Sequence, residues 1–266
     1  MMKLIADSSA NLTMLEGVTY QSVPMTIRAG ERDFVDDETL DTHELLDYLA
    51  AHNGKSGTAC PSLDGWLKAF EGADEIFVIT ITSSLSGTCA SAMAARDVYL
   101  QSHPEVKIHI FDTLSTGPEM QLLAEKLAEL HAKGLPFDVV CEKAQEYLAT
   151  THLFFSLKSL HNLAQNGRVS KIAAGAIGIL GIQILATASL EGTIQPVEKC
   201  RGEKKTCAAI VQKLLEADYH GGKGRIRNVI FLIGDGMGLS QITAAAYANC
   251  GLTLMNFNYI GLQRNN

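Results

Sequence analysis

Apolar positions along the chain fall into short runs separated by amphipathic stretches, and the order of the two predicts the elements. Residues 3–6 predict a first strand, followed at once by Asp7-Ser8-Ser9. Residues 11–13 predict a short helical turn. Residues 18–27 alternate and predict one further strand, and the acidic stretch 31–37 reads as a hairpin or loop. Asp41 or Thr42 starts a helix bearing Leu45, Leu46, Tyr48 and Leu49. Residues 54–61 read as a loop, and Ser62 then caps a helix with Leu63, Trp66, Leu67 and Phe70 on one face.

The densest apolar run is Ile76, Phe77, Val78, Ile79 and Ile81. It ends in Ser83-Ser84-Leu85-Ser86-Gly87-Thr88, and small residues continue as a helix through Arg96. Residues 106–112 predict the next strand, 119–133 a helix stopped by Gly134, and 137–149 another helix. Strands that alternate with helices, with polar residues after each strand, predict a parallel, doubly wound sheet. In such a sheet the site lies at the strands' carboxyl ends.

Beyond Thr150 the pattern changes. A strand over 152–156, helices over 157–164 and 172–179, and strands over 183–188 and 193–198 around Leu190-Glu191-Gly192 precede an amphipathic helix over 206–217. This is a second, α+β unit. Gly221-Gly222-Lys223-Gly224 reads as a linker before a strand over 228–233, the glycine turn of residues 234–238 and a helix over 239–248. Three regions result: an N-terminal α/β domain over 1–150, a second α+β domain over 151–220 and a final segment over 221–266.

Composition narrows the class. The chain has 266 residues, 47% hydrophobic and 19% charged, which is globular rather than disordered. The net charge is −7 and no Lys/Arg block occurs, which disfavours nucleic acid as a partner. The longest apolar stretch, residues 172–190, is interrupted by Gly, Gln, Thr and Ser and makes a poor transmembrane span. The six cysteines have no C-x-x-C or zinc spacing, and reduced thiols in a cytoplasmic protein are the expectation.

Backbone N–H groups at a helix start, with hydroxyls beside them, suit an anionic headgroup. Thr58, Ser62, Ser83, Ser84, Ser86 and Thr88 read equally as caps and turn residues, and Arg168 as a solvated charge. The serines after the central strand lack the G-x-S-x-G pattern of a hydrolase elbow, and no histidine and aspartate set accompanies them. Neither a G-x-G-x-x-G turn after the first strand nor a phosphate-loop lysine is present.

Asp7-Ser8-Ser9-Ala10, Thr58-x-x-Pro61-Ser62, the 83–88 hydroxyl turn, Leu157-Lys158-Ser159-Leu160, Gly167-Arg168-Val169-Ser170 and Gly192 with Pro196, Arg201 and Gly202 occur in that order. Together they resemble the DegV family of bacterial fatty-acid-binding proteins over about residues 2–217. The resemblance implies two α/β domains, a long-chain fatty acid in an apolar pocket, and no catalytic residue, metal or cofactor. It also implies a separate fatty-acid kinase as partner. Carried over, Thr58 and Ser86 hold the carboxylate, Arg168 lies near it, and Ser62, Gly87 and Thr88 complete the set. Residues 227–263 resemble instead the opening of alkaline phosphatases, with Asp235 at a metal-ligand position but no further ligands. The second domain is therefore expected to be incomplete or altered at its C-terminus. Either the final segment leaves that domain open or its strand takes a place in the second sheet. The alternatives to a carrier are a metal-dependent hydrolase fragment centred on Asp235 and a chimeric chain without function.

Overall fold

Strand β1 (Met2–Asp7) is buried at every residue, and this places it inside a sheet covered on both faces. In the computed structural model, which describes residues 1–52, 54–157, 159–169, 182–216 and 232–234, the chain divides into two units. The first comprises Met1–His152 with Ser189–Thr193, and the second Leu153–Ala188 with Ile194–Asn266. The expected helix over 172–179, the linker over 221–224, Asp235 with its glycine turn and the helix over 239–248 lie outside the described residues.

The main sheet of the first unit has the order β2-β1-β6-β7, all parallel, formed by β2 (Thr19–Val23), β6 (Glu75–Thr80) and β7 (Lys107–Asp112) around β1. Alternation divides its apolar residues between two faces. Leu4, Ala6, Phe77, Ile79 and Phe111 pack under α4 (Pro118–Ala132) and α5 (Phe137–Leu148) with Met120, Leu123, Leu127 and Phe137. Ile5, Ile76, Val78 and Ile110 pack under α2 (Leu63–Phe70) and α3 (Thr88–Ser102) with Trp66, Phe70, Ala92 and Tyr99. Each fully buried aliphatic or aromatic side chain contributes about 1.5–3 kcal/mol, so this sandwich dominates the unit's stability.

Three expectations are corrected here. The predicted strand over 18–27 is two strands, β2 and β3 (Thr26–Ala29), which belong to different sheets. Pro24 lies between them and has no N–H to continue a ladder. The stretch 54–61 is not all loop: β5 (Ser56–Ala59) pairs antiparallel with β3, as does β4 (Arg32–Val35) on its other side. The early helical turn is a 3₁₀ turn over Ser8–Ala10, ended by Asn11 at φ 52°. Helix α1 (Thr42–Ala51) starts as predicted, with Asp41 accepting from the His43 and Glu44 N–H groups, and packs Leu45 against Ile27 and Phe34.

The second unit has a four-stranded sheet with the order β10-β9-β8-β11. Strands β8 (Phe154–Leu157), β9 (Ile182–Ala188) and β10 (Ile194–Arg201) are antiparallel neighbours. Helix α6 (His161–Gln165) is shorter than predicted, and α7 (Glu203–Glu216) packs Ile210 against Leu185 and Cys200. Strand β11 (Leu232–Gly234) pairs parallel with β8, with Leu232 opposite Phe155. These three residues are the described part of the strand expected over 228–233; the remainder of the final segment lies outside the described residues.

Candidate functional site

The first unit's parallel sheet directs its strand ends at one set of loops, and the loop after β6 carries the hydroxyl turn. Ser86 is half-buried there. Its Oγ lies 2.8 Å from Thr88 Oγ1 and accepts from the Thr88 N–H at 3.3 Å. Thr88 is fully buried. Gly87 occupies the cap position of α3 and has no side chain to cap it, so Ser86 Oγ meets only the first N–H of a 15-residue helix whose positive end suits an anionic group.

That loop is held from both neighbouring strands. Asp7, at the end of β1, accepts from the Ile81 N–H at 2.7 Å, and Asp112, at the end of β7, accepts from the Ser83 N–H at 3.1 Å. Thr82 accepts from the Ser84 N–H, and its own N–H bonds Ser115 O at 2.8 Å. Thr82 Oγ1 donates to Gly192 O at 2.9 Å and Ser84 Oγ to Glu191 O, both acceptors in the segment Ser189–Thr193. Asp7 also caps the 3₁₀ turn, and both carboxylates reach the β6–α3 loop.

Asp7 is completely buried. Burial pushes its carboxyl up to about 6, against the opposing pull of the Ser9 hydroxyl and the Ile81 and Ser9 N–H groups. Next to it, Ser8 Oγ accepts from the Met25 N–H at 3.1 Å, and burial also raises the carboxyl of nearby Asp36, against the pull of the Ser8 hydroxyl.

Thr58 lies on β5, half-buried, opposite Ile27 of β3. One hydrogen bond and one close approach bring its segment to α3. Ser91 Oγ donates to Pro61 O at 2.9 Å, and a Cβ added to Gly87 would stand 3.6 Å from Cys60 Sγ. Ser62 caps α2, accepting from the Gly65 N–H at 3.1 Å, and keeps its own O–H to donate. Thr58, Ser62, Ser86, Gly87 and Thr88 thus all belong to adjoining segments of one unit. Arg168 belongs to the second unit, where Nη1 donates to Asn166 O at 2.6 Å.

Sequence reasoning missed the reach of Asp7, Ser8, Thr82 and Ser91. The Asp-Ser-Ser run after β1 was the visible signal for the first two. A cleft at Met1, Met2, Thr19 and Glu75 lies at the opposite, amino ends of the strands. Among the described residues no three His, Cys, Asp or Glu side chains are grouped to hold a metal ion, and no helix is long and apolar enough to cross a membrane.

Comparison with known proteins identifies relatives of this arrangement. A model described as an uncharacterised protein of the DegV family matches residues 1–256. A DegV domain-containing protein of Streptococcus pneumoniae is 42% identical over 225 residues, which cover 83% of this chain and 80% of that one. The structure of a DegV family protein from Eubacterium eligens loaded with heptadecanoic acid is similar at a TM-score of 0.81 and 48% identity, covering 84% of this chain and 81% of its own. That of the Streptococcus pneumoniae Fatty Acid Kinase B3 protein loaded with linoleic acid is similar at 0.80 and 42%, covering 83% and 80%. The family match runs through most of residues 227–263, and the comparisons do not support the alkaline-phosphatase resemblance expected there.

Proposed function

The chain belongs to the DegV family, and on that premise we propose that it binds a long-chain fatty acid and presents it to a separate fatty-acid kinase. It is a carrier and performs no chemistry on the acid. An apolar pocket removes the tail from water at about 0.8 kcal/mol per CH₂, so the fully buried tail of a sixteen-carbon acid supplies about 12 kcal/mol. The headgroup contacts then set position and selectivity more than gross affinity. Thr58 and Ser86 donate to the carboxylate, with Ser62, Gly87 and Thr88 at the helix starts. The kinase needs ATP, which puts the exchange in the cytoplasm. The same reading takes residues 151–220 as a second lipid-binding domain altered at its C-terminus, and 221–266 as a linker and added segment.

The observation that carries this reading is the meeting of the Thr58–Ser62 stretch with the start of α3, where Gly87 supplies no cap and the Ser86 hydroxyl stands at the first N–H. Two relatives more than 40% identical were solved with fatty acids bound. The test is solvent extraction of the purified chain and mass spectrometry. We expect roughly one acid of about 14 to 18 carbons per chain. No extracted acid together with no uptake of a labelled one overturns the proposal.

A further inference from the structure

We infer that the Asp7-Ser8 turn is the positioning element that holds the two halves of the hydroxyl site, Thr58 and Ser86, in register. This rests on the fatty-acid reading above and assigns a role to residues that do not themselves meet the ligand.

The two residues face opposite ways from one strand end. Asp7 takes the N–H of Ile81, the residue that leads from β6 into the loop bearing Ser86. Ser8 takes the N–H of Met25 at 3.1 Å. Met25 leads directly into β3, where Ile27 is paired with Thr58. Asp36 N donates back to Met25 O at 2.9 Å, closing the end of the small sheet. One buried turn therefore anchors the Ser86 loop through a carboxylate and the Thr58 sheet through a hydroxyl. Pro24 heightens the need for this link. The chain leaves the main sheet there, and no ladder bond spans the change from β2 to β3. Burying an ionised Asp for a purely local cap would be wasteful when an exposed cap serves as well. Two of its donors, the Ser9 N–H and O–H, are local, and the third, the Ile81 N–H, carries the carboxylate's reach to the neighbouring strand end.

The experiment compares binding of hexadecanoate with that of hexadecanol by the full chain. The two probes share the tail and differ in the headgroup. A positioning role predicts that Asp7→Ala lowers the preference for the acid about tenfold, with hexadecanol binding within about threefold of wild type. Asp7→Asn, which keeps an acceptor for Ile81, restores at least half of the lost preference on a logarithmic scale. Ser8→Ala, which leaves the Asp7 bonds in place, lowers the preference in the same direction and serves alone if Asp7→Ala does not fold. An unchanged preference in folded Asp7→Ala, or in Ser8→Ala, overturns the inference, as does an equal loss of both probes. Wild-type chain that takes up neither probe overturns the fatty-acid reading itself and the inference with it.

Discussion

Thr82 Oγ1 donates to the carbonyl of Gly192 at 2.9 Å, joining residues 110 positions apart in the chain. Gly192 is buried with φ at 75°, and no side chain fits: an added Cβ would come within 2.1 Å of Thr82 Oγ1 and 3.0 Å of Leu114 Cα. The hydroxyl turn after β6 is thus pinned by a backbone carbonyl as well as by two strand-end carboxylates.

Gly192→Ala is expected to lower stability by about 2–4 kcal/mol, from the backbone strain and the displaced Thr82 together. Gly72→Ala is the control, because Gly72 has φ at 77° but nothing within 4 Å of an added Cβ. It should cost only about 1 kcal/mol. Urea unfolding of both variants measures the difference, and equal losses would mean that the Thr82 contact adds nothing.

Ser86→Ala should weaken hexadecanoate binding by about tenfold, the size of one hydrogen bond to a charged group. Ser84→Ala removes the bond to Glu191 O instead and should change affinity by less than about threefold. Equilibrium binding to the two variants decides this, and equal effects would remove Ser86 from the carboxylate site.

Asp7 makes a pH-dependent contribution with an unusual sign. Its carboxyl rises from 3.8 to about 6 on folding, with Asp36, Tyr20 and Cys89 the titratable groups coupled to it. The folded state therefore holds the proton more tightly, and stability falls as pH rises from about 4 to about 6, by about 3 kcal/mol in all. Exposed pairs such as Glu129 with Lys126 and Lys133 act in the opposite sense but weakly. The difference between wild type and Asp7→Asn in unfolding titrations across that range isolates Asp7, and parallel curves would refute its shift.

The β6–turn–α3 unit was legible because its signals are local: an apolar β-branched run, hydroxyls, a glycine and small helix formers. The Asp41 and Ser62 caps were legible for the same reason. Strand β5 was not, because Ser56-Gly57-Thr58-Ala59 has no apolar alternation and becomes a strand only by pairing with β3. The same limit hid the bonds from Asp7 to Ile81 and from Thr82 to Gly192. In each the partner lies far away in the chain, and no local pattern marks it. Thr58 and Ser86 are named from a resemblance, and the contact that brings their segments together, Ser91 with Pro61, is tertiary.

The most direct measurement of the central claim is a calorimetric titration of delipidated chain with hexadecanoate. A carrier gives saturable binding near one acid per chain, with a negative heat-capacity change from burial of the tail. Heat that fails to saturate, or binding without that heat-capacity change, contradicts the account.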